Sequence, residues 1–166
     1  VRGKRRRKPA RRAPRRPIVF SVAQLKARGA LLVKEIAGVG ATAASPAERL
    51  ERVITALFAA FDGEPLCHLL IEGWRRAQRQ KELRLELAWV REQLRLSVEE
   101  VLRNGIQEGA FRTDLDPEAT ASVILGTAEG FLLQSVNQGG PVPAERLADT
   151  LLRAILRNPA ERPGQT

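Results

Sequence analysis

One cysteine and one histidine occur among the 166 residues, and they are neighbours, Cys67-His68. A thiol beside an imidazole is the raw material of nucleophilic catalysis, but the pair must touch and a third group must orient the base. Successive residues of a helix point about 100° apart, so these two do not readily share a site. His68 is read instead as a structural histidine or a polar group in a pocket or interface. The sequence contains no glycine-rich phosphate loop, metal-ligand spacing or nucleophile elbow. An enzyme is therefore not expected, nor a metal or a cofactor.

Two other features carry charge in a way that needs explaining. Between Ala119 and Asn137 the chain has a single charged residue, Glu129. A lone carboxylate on an apolar helix must be paired, at an interface or by a ligand, or titrate abnormally. The second feature is the start of the chain. The net charge is +9, yet residues 1–16 hold ten basic residues and no acid, leaving 18 basic against 19 acidic residues in the remainder. The body is neutral, and the excess sits in a proline-containing run without hydrophobic periodicity. Residues 1–17 are read as a basic disordered tail. Arg5, Arg6, Arg7, Lys8, Arg11 and Arg12 are its candidate phosphate contacts, nonspecific and salt-sensitive. A solvated tail without a partner, and an artefact of a misassigned start or frame, are the competing readings.

The elements that would position these groups are all helical. A helix is expected over 18–37, beginning near Ser21, with Leu25, Leu32 and Ile36 at helical spacing. The glycines and small residues from Gly38 to Ala44 read as a loop. Ser45-Pro46-Ala47-Glu48 is a capping box, followed by the stripe Leu50, Val53, Ile54, Leu57, Phe58 and Phe61. Pro65 opens a helix carrying Leu66, Leu69, Leu70 and Trp74, which breaks near Arg79. Residues 82–107 form the longest helix, with Leu83, Leu87, Val90, Leu94, Val98 and Val101 inward. Its Glu86, Arg91, Glu92, Arg95, Glu99 and Glu100 read as an ordinary solvated face. Asp116-Pro117 starts the apolar helix 117–137. Gly139-Gly140-Pro141 ends it, and an amphipathic helix over 143–157 follows. The fold class is all-α, a bundle of about six helices, with 18–158 as the domain and 159–166 frayed.

The apolar helix needs cover on two sides. Leu125, Leu132, Ile124 and Phe131 form one stripe. Ala119, Ser122, Gly126 and Gly130 form another, small enough for a second helix to come close, either within the monomer or from a second copy of the chain. No segment is pure enough to span a membrane, no signal-peptide pattern is present, and one cysteine excludes an intrachain disulfide framework. A cytoplasmic protein is expected.

As a whole the chain resembles the C-terminal regulatory domain of TetR-type transcriptional regulators, over about residues 25–157. The most specific part is Gly105-Ile106-x-x-Gly109-x-Phe111-Arg112-x-x-x-Asp116-Pro117, followed by Glu129-Gly130. The resemblance implies a homodimer built as a four-helix bundle from helices 117–137 and 143–157. Its interface would take in Ala119, Ser122, Val123, Gly126, Gly130, Leu133, Leu147, Leu151 and Ile155. It also implies a small-molecule effector bound between the middle helices. Family motifs do not carry pocket residues over, so side-chain type selects Phe58, Phe61, His68, Trp74, Trp89, Gln93 and Glu129. The family's helix-turn-helix, and the aromatic-x-x-Lys junction before the connecting helix, have no counterpart here. Contact with DNA would run through a missing or separate head, or nonspecifically through the tail. The expected function is that of a truncated regulator that binds an effector and dimerises. The alternative is a nonspecific nucleic-acid-binding protein using its tail on a dimeric helical platform.

Overall fold

The computed structural model describes residues 20–42, 45–62, 66–138 and 142–156. They form six helices: α1 (Val22–Thr42), α2 (Pro46–Asp62), α3 (Leu66–Ala77), α4 (Lys81–Gln107), α5 (Pro117–Gln138) and α6 (Ala144–Ile155).

Local chemistry sets several of the ends. Ser21 Oγ accepts from the Gln24 N–H at 3.4 Å at the start of α1. At α2 the capping box closes both ways: the Glu48 N–H donates to Ser45 Oγ and the Ser45 N–H to Glu48 Oε2, each at 3.3 Å. Asp116 Oδ1 accepts from the N–H groups of Glu118 at 3.0 Å and Ala119 at 3.1 Å, with Pro117 in the first turn of α5. The end of α4 is a Schellman turn. Gly109 takes φ +74°, its N–H donates to the Ile106 carbonyl at 3.0 Å, and the Ala110 N–H donates to that of Gly105 at 2.9 Å.

One expected boundary was wrong. The segment read as a loop from Gly38 continues α1 to Thr42. Ile36 is buried, and Val39 packs on the core beyond it. That burial offsets the helix-propensity cost of Gly38, about 1 kcal/mol relative to alanine.

The core is organised on α2 and α4. Helix α4 packs against α1, α2, α3 and α5, and α2 touches every other helix, α6 included. Leu50, Val53, Ile54 and Leu57 of α2 are completely inaccessible to solvent. Phe58 of α2 and Phe131 of α5 meet edge to face, with centroids 5.4 Å apart. The segment after α4 is pinned to the end of α6. Phe111 pairs with Leu156 in an isolated antiparallel bridge, and the Arg112 N–H donates to the Ile155 carbonyl at 3.3 Å.

Candidate functional site

A cavity of about 350 Å³ opens between α1, α3 and α4, with Phe61 of α2 and Glu129 of α5 completing its wall. Leu32, Leu66, Leu70, Leu87 and Leu94 make it predominantly apolar. Gly29 lies on the same wall, where a β-carbon would fall 2.8 Å from Val90 Cγ2, so its lack of a side chain lets α1 approach α4. The polar lining consists of Gln78, Arg84, Arg91 and Glu129.

Glu129 finds its partner across the α4–α5 contact. Arg91 Nε donates to Glu129 Oε1 at 2.9 Å. The lone carboxylate of the apolar helix is thus paired within the chain, at the cavity wall. Arg84, seven residues earlier on α4, donates a long 3.5 Å hydrogen bond to the Ala77 carbonyl.

The seven pocket candidates divide. Phe61, Trp74 and Glu129 line the cavity. Phe58 does not; it is buried against Phe131 and borders a separate hollow of about 360 Å³ between α2 and α6. His68 is exposed on α3, and Trp89 is 51 % exposed on the outer side of α4. Gln93 is half-buried away from the cavity, and its backbone carbonyl accepts from Ser97 Oγ at 2.9 Å. Sequence reasoning missed Arg84 and Arg91. The available signal was their seven-residue spacing, which interleaves them with Leu87 and Leu94 on one helical face.

The face read as ordinary and solvated also needs correction at Glu99. This residue is buried, and its carboxylate accepts hydrogen bonds from Arg103 and Arg95, with Arg103 Nε at 2.8 Å. Arg103 first, then Arg95, hold it below the usual carboxylate range. Arg95 in turn pairs with Glu92 at 2.6 Å. Among the described residues, no group of histidine, cysteine, aspartate and glutamate is placed to hold a metal ion.

Helix α5 has two unlike sides. Ala121, Ile124, Leu125, Ala128, Phe131 and Leu132 are buried in the chain's own core. Opposite them, Ala119, Gly126, Val123 and Leu133 are exposed, the last two at 60 % and 48 %, with Ser122 and Gly130 half-buried. A β-carbon on Gly126 or Gly130 would meet nothing within 4 Å. The hydroxyls on this side turn back to the helix: Ser122 donates to the Glu118 carbonyl at 3.0 Å and Thr127 to that of Val123 at 2.8 Å. On α6, Leu147 and Leu151 are half-buried. Ile155, expected at the interface, belongs to the chain's own core at 3 % exposure, because the Phe111–Leu156 bridge closes over the end of α6. The tail candidates Arg5, Arg6, Arg7, Lys8, Arg11 and Arg12 lie outside the described residues.

Residues 46–158 match the family of BetI-type transcriptional repressors, in their C-terminal domain. The chain belongs to this family of TetR-type regulators. Solved structures agree on the fold. A TetR regulator from Haloarcula marismortui superposes with TM-score 0.71 at 24 % identity, over 81 % of this chain and 72 % of that one. The ketosteroid regulator KstR2 of Mycobacterium tuberculosis gives 0.57 at 22 %, covering 82 % and 70 %. FadR of Bacillus subtilis, solved with stearoyl-CoA, gives 0.62 at 21 %, covering 79 % and 70 %. No functionally curated protein matches the chain in sequence. The BetI-type assignment places the chain among transcriptional regulators, an all-α family, and no single helix among the described residues is long and apolar enough to cross a membrane.

Proposed function

We propose that this chain is the effector-binding and homodimerising part of a TetR-type transcriptional repressor. One observation carries the reading: α5 borders an apolar cavity through Glu129, and on its other side has an uncharged, small-residue face that the described residues leave uncovered. The cavity lies in the size range of small-molecule sites and combines apolar walls with a few polar groups. The family resemblance adds α6, whose Leu147 and Leu151 are half-buried, so two helices from each copy would close a four-helix bundle. That FadR, a regulator of similar fold, was solved in complex with stearoyl-CoA supports a small-molecule role for this chain. A ligand that favours one packing of α4 against α5 shifts the dimer between its arrangements, and regulation follows from that difference in affinity.

The test is a light-scattering measurement of mass combined with ligand-dependent thermal stability. The expected result is a dimer whose melting temperature rises with a cavity ligand. A monomer at micromolar concentration would overturn the dimer. No stabilisation by any apolar ligand would overturn the effector site.

A further inference from the structure

Taking the cavity as an effector site, we infer that its ligand is an amphiphile with an apolar body and one carboxylate, and that Glu129 is the internal competitor this ligand displaces from Arg91. Two guanidinium groups, Arg84 and Arg91, face one carboxylate, Glu129. An anionic ligand brings the cavity to neutrality. A cationic ligand would pair with Glu129 and set a third positive charge beside both guanidinium groups, a repulsion that solvent at the half-exposed Arg91 weakens.

The present partner of Arg91 indicates which anion fits. It is a carboxylate, held at 2.9 Å through Nε. A carboxylate free of a backbone tether can take the guanidinium fork bidentately, a stronger arrangement. Release of Glu129 is tolerable, since its side chain is 25 % exposed and can turn to water. The remaining wall, Gln78 apart, runs from Leu32 and Phe61 to Leu70 and Leu87 and suits an apolar body. Exchange at Arg91 also removes an ion pair that ties α4 to α5, one residue before Gly130 on the uncovered face.

The chain carries its own reporter. It has two tryptophans; Trp74 lines the cavity and Trp89 stands outside it. In a Trp89→Phe background, Trp74 fluorescence is titrated with laurate, dodecanol and dodecyltrimethylammonium below their micelle concentrations. Laurate is expected to bind about tenfold more tightly than dodecanol, with the cation weakest. Adding Glu129→Gln should strengthen laurate several-fold and dodecanol by much less. Arg91→Gln should erase the advantage of laurate, and Arg91→Lys should keep part of it, with circular dichroism verifying that each variant is folded. Preference for the cation, equal binding of all three, or weaker laurate binding in Glu129→Gln overturns the inference and leaves the cavity as an effector site. Failure of all three to bind the folded chain overturns the effector site itself, and the inference with it.

Discussion

Gly105 and Phe111 interlock: a β-carbon on Gly105 would lie 2.0 Å from Cε2 of the Phe111 ring, which is completely buried. The glycine is the space in which the aromatic ring sits, and the Schellman turn at Gly109 brings the ring back over the helix it has just left. Gly105→Ala should therefore destabilise the fold by about 1–3 kcal/mol, the range for overpacking a filled core. Gly38→Ala is the control, because nothing lies within 4 Å of its β-carbon position. It should stabilise by up to about 1 kcal/mol through helix propensity alone. Urea denaturation of the two variants checks both signs.

Gly130→Arg should yield a folded monomer. The described chain offers no atom within 4 Å for the new β-carbon to strike, so the side chain obstructs only an approaching helix. Light scattering together with helical circular dichroism separates the outcomes. A dimer that survives the arginine would place the interface elsewhere.

Phe131→Ala and Leu133→Ala lie two residues apart and should behave oppositely. Phe131 is buried against Phe58, and its truncation should cost about 3–5 kcal/mol. Leu133 is 48 % exposed; in the Gly130→Arg background its truncation should change unfolding by no more than about 0.5 kcal/mol. In the unsubstituted chain Leu133→Ala should instead weaken assembly, read as a concentration-dependent melting temperature.

Acid should weaken the fold through two arginine-held carboxylates. Arg75 and then Arg76 hold Glu72 down to about 2 from an ordinary 4.5, and Glu99 is lowered by Arg103 and Arg95. A depressed folded-state pKa contributes stability that is complete above the unfolded value and fades as pH falls towards the folded one. For Glu72 the window runs from about pH 4.5 to about pH 2. Glu72→Gln and Glu99→Gln should each flatten the fall in melting temperature on acidification relative to the unsubstituted chain. An unchanged slope in Glu72→Gln would remove that pair from the account.

The six helices were legible because caps and periodicity are local. Ser45 with Glu48, Asp116 with Pro117, and Gly109 each announce an end within a few residues of chain. The two-sided character of α5 was legible for the same reason, since Leu125 and Gly126 fall on different sides of one helical wheel. What failed depended on which neighbour a face meets. Arg91 and Glu99 both looked like members of a solvated charge pattern; only the placement of α5 beside α4 shows that Arg91 reaches Glu129, and only the folded structure shows that Glu99 is buried between Arg95 and Arg103 of its own helix. His68 and Trp89 were chosen for side-chain type, which carries no direction. Ile155 kept the helical phase of Leu147 and Leu151 closely enough to be grouped with them, but the bridge from Phe111, distant in sequence, claims it for the core.

The pairing of Glu129 with Arg91 inside the chain leaves the outward side of α5 without a formal charge anywhere from Ala119 to Leu133. Such a surface neither draws a partner in by long-range attraction nor turns one away by repulsion. The contribution of α5 to assembly would be nearly indifferent to ionic strength. Discrimination between identical and merely related subunits would then rest on steric fit at Gly126 and Gly130.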